Sequence, residues 1–358
     1  MAIQGDQIVS RCDELGFALA GVCKAEPSDH ADEMRDWLAR GEHGSMGYLA
    51  NNVELRLDPR VMALEVRSII MVADQYAARP TGESTATDQE RDDPPLIGRI
   101  ARYAQGRDYH VVIKKRLHAL CDELREVYPE AMFRVFVDTA PVLEREHAAR
   151  AGLGWIGKHT LLIHPKLGSW TLLGGVLTSL DITPPENQRP VADHCGACTR
   201  CIDACPTGAI SPFAVNASRC VSYLTIENRE PIDPQLQGAI GDWIFGCDIC
   251  QEVCPHNSPR ETGFDAGEPN KTYESARTGF DLLSVLNWTE DDRRRQFQTS
   301  ALKRATLAMM QRNAIIALAG AAAGQPSQML RNRLNELSNG KSVPELVRQA
   351  ARNALAGR

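Results

Sequence analysis

Apolar positions in the first half of the chain change period repeatedly, and each change marks an element. Five short runs read as strands: Phe17 to Val22, Ser68 to Ala73, Met132 to Val137, Thr160 to His164 and Ser169 to Ser179. Helical spacing fills the gaps, so Gln4 to Thr183 is expected to be an α/β or α+β domain. The stretch Ala78 to Pro95, rich in Thr, Asp, Glu and Pro, is expected to be an exposed loop. Pro184, Pro185 and Pro190 then predict a linker into a cysteine-rich segment, Asp193 to Pro255. Beyond it Leu, Ile and Met recur at helical spacing over Ala301 to Ala319 and Gln328 to Leu337. That pattern predicts short stacked helices resembling one or two HEAT units. The expected division is 1–184, 185–260 and 261–358, in an α+β chain whose first domain is of α/β type.

Asp6, Arg11, Asp13 and Glu14 interrupt the N-terminal apolar residues, which excludes the h-region of a secretion signal there. The most apolar later stretch, Asn313 to Gly324, is too short to cross a bilayer and is Ala-rich, as in a closely packed helix. A cytoplasmic chain without a membrane partner is expected. Thiols stay reduced in that compartment, so an odd count of 11 cysteines points to metal binding or redox chemistry rather than to disulfides. Charge is unevenly spread. The formal net charge is −6, yet from Arg293 onward twelve Arg or Lys face only Glu336 and Glu345. A basic end on an acidic body implies a polyanionic partner bound at one place.

Cys195, Cys198, Cys201 and Cys205, followed by Pro206, form the run C-x2-C-x2-C-x3-C-P. In two-cluster ferredoxins the first three thiolates of such a run hold one 4Fe-4S cluster, and the fourth reaches the other. Cys247, Cys250 and Cys254 with Pro255 repeat the run without its middle cysteine, and Cys220 is the natural replacement. The same logic assigns Cys195, Cys198, Cys201 and Cys254 to one cluster and Cys205, Cys220, Cys247 and Cys250 to the second. Paired zinc sites are the bland alternative, disfavoured by the interleaved C-P endings. The expected middle domain is therefore ferredoxin-like. Cys12, Cys23 and Cys121 fall on predicted helix or strand faces and are expected as buried small hydrophobes. Gly152, Gly154 and Gly157 spell G-x-G-x-x-G, but a helix precedes them and a strand follows, the reverse of a dinucleotide fingerprint.

Several segments together resemble the epoxyqueuosine reductase family. They are Met46 to Leu49 with Arg56 to Pro59, Ile100 to His110, Val137 to Arg145, Ala151 to His159, and the cysteine runs. The resemblance extends nearly end to end. It departs at Ala101, where the family more usually has Ser, and at His159, where it has Asn. The resemblance implies a cobalamin held between the first domain and the cluster domain, a HEAT-like C-terminal domain, and reduction of epoxyqueuosine to queuosine at the wobble position of tRNA. Within the motifs, Asp138 is the expected proton donor at a strand end, where a covering cofactor raises its pKa by desolvation. Arg56, Tyr103, Arg145, Lys158 and His159 are expected at the cofactor, with Ser222 and Thr225 toward its other face. Arg293, Arg294, Arg295, Lys303, Arg304, Arg312 and Asn313 are expected to face tRNA. Electrons are expected from a low-potential donor of ferredoxin or flavodoxin type. Two rivals use the same cysteines: a reductive dehalogenase-like cobalamin enzyme, which needs no basic helical end, and a simple electron carrier, which needs no large first domain.

Overall fold

The computed structural model describes residues 3–63, 65–78, 96–258, 268–321 and 327–357. Of the expected loop Ala78 to Pro95, residues 79–95 lie outside the described residues. Ser68–Gln75 is the middle of a four-stranded sheet, and all eight of its residues are buried. Leu19–Lys24 pairs on one side and Thr171–Thr178 on the other, with Phe133–Phe136 at the far edge. Both faces are covered, and alternate side chains go to each. Val22, Ile70, Val72 and Val176 share a core with Ile8, Cys12, Ile113, Leu117 and Cys121 of the helices Gly5–Glu14 and Tyr109–Val127. Cys23, Ile69, Met71 and Leu177 pack with Ala148 of the helix Glu144–Arg150. All three cysteines outside the cysteine-rich segment are thus core residues.

Every pairing in this sheet is antiparallel, which corrects the α/β-type expectation for the first domain to α+β. Alternation of helix and strand along a chain does not fix strand direction; the end at which each connection re-enters does. Lys24 lies opposite Ser68, so the intervening helices return the chain to the end it left.

A second sheet joins the three sequence segments. Ile97–Ile100 is its middle strand, parallel to Trp243–Phe245 and antiparallel to Gly279–Asp281. One hydrophobic core follows from it, running from Ile100 through Ile244, Phe245 and Phe280 to the C-terminal helices Leu307–Ala321, Gln328–Asn339 and Glu345–Leu355. No described helix is long and apolar enough to cross a membrane.

The helix Leu307–Ala321 is buried on nearly every side, as its Ala-rich composition predicts. Arg312 and Asn313, expected to face tRNA, are inside, each 1% exposed. The Arg312 guanidinium donates to the carbonyls of Leu224, Asn228 and Glu230 at 2.6–2.8 Å. Asn313 Nδ2 donates to the carbonyls of Thr225 and Ile244 at 2.9 and 2.8 Å. The reason is local. The helix Val221–Ile226 ends against Leu307–Ala321; its Tyr223 carbonyl takes the backbone N–H groups of Glu227 and Asn228, and those of Leu224 and Thr225 need donors from outside. Arg312 and Asn313 satisfy them, so their part is structural.

Candidate active site and cluster sites

The cysteines come together in two groups. Cys195, Cys198, Cys201 and Cys254 line one cavity. Burial pushes the Cys254 thiol up to about 11, reinforced by Cys195, Cys201 and Cys198. Cys247 is pushed up to about 12 by burial, with Cys220 and Cys205 adding to it. Cys250 is raised by burial and then by Cys247 and Cys220. The strongest cysteine neighbours fall within the two interleaved sets, while Cys201 of the first set also acts on Cys250 of the second. Eight thiols crowded in this way are costly as free thiolates, and a cationic iron centre reverses the cost, so the donor sets fit two clusters.

Lys158 and His159 line the cavity of the first cysteine group, and the Arg145 charge also acts on His159. The Lys158 ammonium donates to the carbonyls of Gly196 and Cys198, at 2.6 and 3.0 Å, and clasps the loop between the first two cysteines. His159 Nδ1 accepts the Leu161 N–H at 3.2 Å, while its Nε2 is buried without a partner. An orphaned buried donor of this kind costs about 1–3 kcal/mol. Nearby glycines serve packing. A Cβ on Gly154 would meet the Ile163 carbonyl at 2.3 Å, and one on Gly157 would meet the Ile163 side chain at 2.4 Å. They let the hairpin of Trp155–Ile156 and Leu162–Ile163 close, and no dinucleotide turn is formed.

Asp138 follows the edge strand Phe133–Phe136 and adopts φ +55°, a left-handed conformation costing about 1–3 kcal/mol at a non-glycine residue. Glu144 holds it there by accepting the Asp138 N–H at 2.6 Å. Its carboxylate meets His110 Nε2 at 3.3 Å, and His110 Nδ1 meets Asp108 at 2.8 Å. Burial alone would lower the His110 imidazolium, but the hydrogen bonds to Asp108 and Asp138 outweigh it and raise it to about 9. Asp138 moves the other way. The His110 hydrogen bond holds its carboxyl below the ordinary value against burial, helped by the charges of Arg145 and Arg304. Without a covering cofactor the shift is downward, because an imidazolium faces the carboxyl and stabilises its charge. Burial and the Asp138 charge push Glu144 up to about 8, so near neutral pH the proton-bearing carboxyl is Glu144.

Side chains from all three segments surround Asp138. Arg56 and Tyr48 are its neighbours in charge, and Arg56 Nε is buried without a partner. Arg145 donates to the Thr160 carbonyl at 2.9 Å, and the charges of Glu144, Asp138 and Cys250 all act on it. Tyr103 packs on Tyr109 and Phe245 beneath the cleft, with Asp138 the first of its charged neighbours. Arg304, expected on a tRNA surface, pairs with Glu227 at 2.6 Å, with its guanidinium 5.8 Å from the Tyr48 ring. Ser222 is half-buried. Thr225 is fully buried, its hydroxyl donating to the Val221 carbonyl and accepting the Gly246 N–H, so it faces no cofactor.

At the basic end Arg293, Arg294 and Arg295 pair with Glu290, Asp291 and Asp292 on their own helix, Glu290–Phe297. Lys303 is exposed. Sequence reasoning missed His110, Asp108, Glu144, Tyr48 and Glu227 as site residues. One signal was available for the first two. Asp108 stands two residues before His110 as the N-cap of the helix Tyr109–Val127, which ties the histidine to a carboxylate at a helix start.

Residues 194–257 match a family described as a 4Fe-4S double cluster binding domain, so the chain carries such a domain. Residues 56–139, from Arg56 to just past Asp138, match one described as epoxyqueuosine reductase QueG, DUF1730. The chain is 40% identical over 309 residues to the epoxyqueuosine reductase of Synechocystis sp., covering 83% of this chain and 98% of that protein. It is 36% identical over 347 residues to that of Pseudomonas aeruginosa, covering 96% and 91%. A crystal structure of epoxyqueuosine reductase with an epoxyqueuosine-modified tRNA-Tyr stem loop superposes with a TM-score of 0.84 at 27% identity, over 98% of this chain and 89% of that one. The enzyme from Streptococcus thermophilus superposes with a TM-score of 0.82 at 28% identity, over 98% and 89%. The likeness takes in the Asp138 cleft, the eight clustered cysteines and the helical end alike, and the chain belongs to the epoxyqueuosine reductase family.

Proposed function

We propose that this chain reduces epoxyqueuosine to queuosine at the wobble position of tRNA, with cobalamin in the Asp138 cleft and two 4Fe-4S clusters behind it. The observation that carries the reading is the hydrogen-bonded chain Asp108–His110–Asp138, a proton-bearing pair on whose neighbour Arg145 the charge of Cys250 also acts, so that a cluster at the second cysteine group would supply electrons near a proton source. The cleft residues fit a corrinoid. Arg56, with its partnerless Nε, Arg145 and the half-buried Ser222 supply donors for amide side chains, and Tyr48 and Tyr103 supply aromatic surface. Cobalamin kept reduced by a low-potential cluster supplies the two electrons that no side chain can.

Converting an epoxide to an alkene takes two electrons and two protons and releases water. The protein's share is the proton. Asp138 stands at the cleft with its proton stored on His110, and Asp108 fixes the imidazolium from behind. Transfer from His110 through Asp138 to the departing oxygen leaves a neutral imidazole held by the same two carboxylates, and the second proton that completes water comes from solvent. Exposed Arg294, Arg295 and Lys303, on a HEAT-like helical end, suit the phosphates flanking the anticodon loop, whose single-stranded base is presented at low cost. A ferredoxin- or flavodoxin-type donor in the cytoplasm completes the scheme.

The test is queuosine formation on an epoxyqueuosine-bearing stem loop by cobalamin-loaded Asp138→Asn and Asp138→Ala protein. Full activity in either would sink the acid role. For the whole reading, tRNA nucleosides from cells lacking this protein are expected to accumulate epoxyqueuosine.

A further inference from the structure

His159 carries a hydrogen-bond donor that the fold itself leaves unused. Because its Nδ1 accepts the Leu161 N–H, the ring proton resides on Nε2. That Nε2–H has no partner among the described residues and sits on a ring only 3% exposed. The ring lines the cavity bounded by Cys195, Cys198, Cys201 and Cys254. Two neighbours fix it there. Gly157 leaves room for the ring, since a Cβ at that position would approach His159 Cε1 to 3.2 Å. Lys158 ties the same turn to the cysteine loop through the Gly196 and Cys198 carbonyls.

We propose that His159 donates its Nε2–H to a sulfur of the cluster held by Cys195, Cys198, Cys201 and Cys254, and so raises that cluster's reduction potential. The inference rests on the cluster assignment above. A 4Fe-4S cluster taking one electron passes from the 2+ to the 1+ state, and the added negative charge spreads onto its sulfurs. A fixed N–H dipole stabilises the reduced form more than the oxidised one. His159 keeps its proton throughout, and the same electron leaves toward the neighbouring cluster. The cluster becomes easier to charge from an external low-potential flavin or iron–sulfur donor.

The experiment is an EPR-monitored redox titration of the cluster-loaded full chain as wild type, His159→Leu and His159→Gln. In the Leu variant one of the two cluster signals is expected to titrate at a more negative potential while the other holds, and Gln, which keeps a donor, recovers part of the shift. Two unchanged potentials in the Leu variant would overturn the proposal. Should that variant fail to hold its clusters, wild-type protein labelled with 15N-histidine decides. Because His194 and His256 line the same cavity, a histidine nitrogen coupled to a reduced cluster in pulsed EPR supports the hydrogen bond when it persists in His194→Gln and His256→Gln protein, and its absence from wild type or its loss in either of those variants refutes it. Iron content separates this from failure of the cluster assignment, which would show as fewer than two clusters in the wild type.

Discussion

Replacing Arg312 by alanine removes the cation that closes the end of the helix Val221–Ile226. Three backbone carbonyls, those of Leu224, Asn228 and Glu230, lose their donor inside the core. Each charge-assisted hydrogen bond is worth about 1.5–3 kcal/mol, and burying the guanidinium already costs part of that sum. Orphaning three neutral buried carbonyls costs about 1–3 kcal/mol each, and no longer burying the cation offsets part of that, which leaves about 3–5 kcal/mol net. With an unfolding entropy of roughly 2.1 cal/mol/K per residue over 358 residues, 1 kcal/mol corresponds to about 1.3 °C, so the melting temperature should fall by about 4–7 °C. Thermal melts of the two proteins by circular dichroism measure it. The tRNA expectation for this residue predicts something else: unchanged stability, with the slope of log affinity against log salt reduced by about one. A variant that melts within a degree of wild type and binds a stem loop with the shallower slope would refute the structural assignment.

The remaining predictions concern protons and iron. His110, raised from 6.5 to about 9, contributes stability that is fully present below about pH 6.5 and lost as pH rises through about 9. His110→Gln should therefore lose least relative to wild type at high pH, and its reductase activity should fall off at lower pH than wild type in a pH profile. Glu144, raised from 4.5 to about 8, contributes stability present below about pH 4.5 and lost as pH rises through about 8. Glu144→Gln keeps the acceptor for the Asp138 N–H and should match wild type in activity at neutral pH, whereas Glu144→Ala should lose activity by tenfold or more in the same assay, on the order of the 1.4 kcal/mol left by an orphaned donor. Cys220→Ser should lower iron content by about half, because one cluster loses a ligand and the other keeps all four; unchanged iron would remove Cys220 from the ligand set.

How far the chain could be read depended on the range of the interaction. All five strand runs of the first segment are present, since alternation and β-branching are local signals, with ends such as Lys24 and Gln75 displaced by a few residues. The two cysteine groups were legible because ligand spacing is itself a sequence pattern. Strand direction was not, since it depends on which end of the sheet each connection regains. Arg312 and Asn313 looked like surface residues because a polar pair on an Ala-rich helix gives no sign of the carbonyls waiting opposite, 84 and more residues away for those of Leu224, Thr225 and Asn228. The acidic partners of the Arg293 to Arg295 run were overlooked for a nearer reason. Glu290, Asp291 and Asp292 lie just before it, and helical spacing of three brings each opposite charge into reach. That His159 lines the cavity of Cys195, Cys198, Cys201 and Cys254 was not legible, because the turn between two short strands that carries it there gives no sign in sequence of the cysteines it meets.

The strand Ile97–Ile100 sets an order of manufacture. Its two partners, Trp243–Phe245 and Gly279–Asp281, leave the ribosome long after it does, the later one on the order of 10–40 s afterwards at ordinary synthesis rates. Until then the first sheet can form, but the floor beneath Tyr103 cannot. Trp243–Phe245 also emerges between Cys220 and Cys247, and Gly279–Asp281 follows Cys254. All eight thiols are therefore exposed to iron delivery before the last strand seals the core. Chains interrupted before Gly279–Asp281 is made would keep one edge of Ile97–Ile100 unpaired, open to aggregation or to proteases.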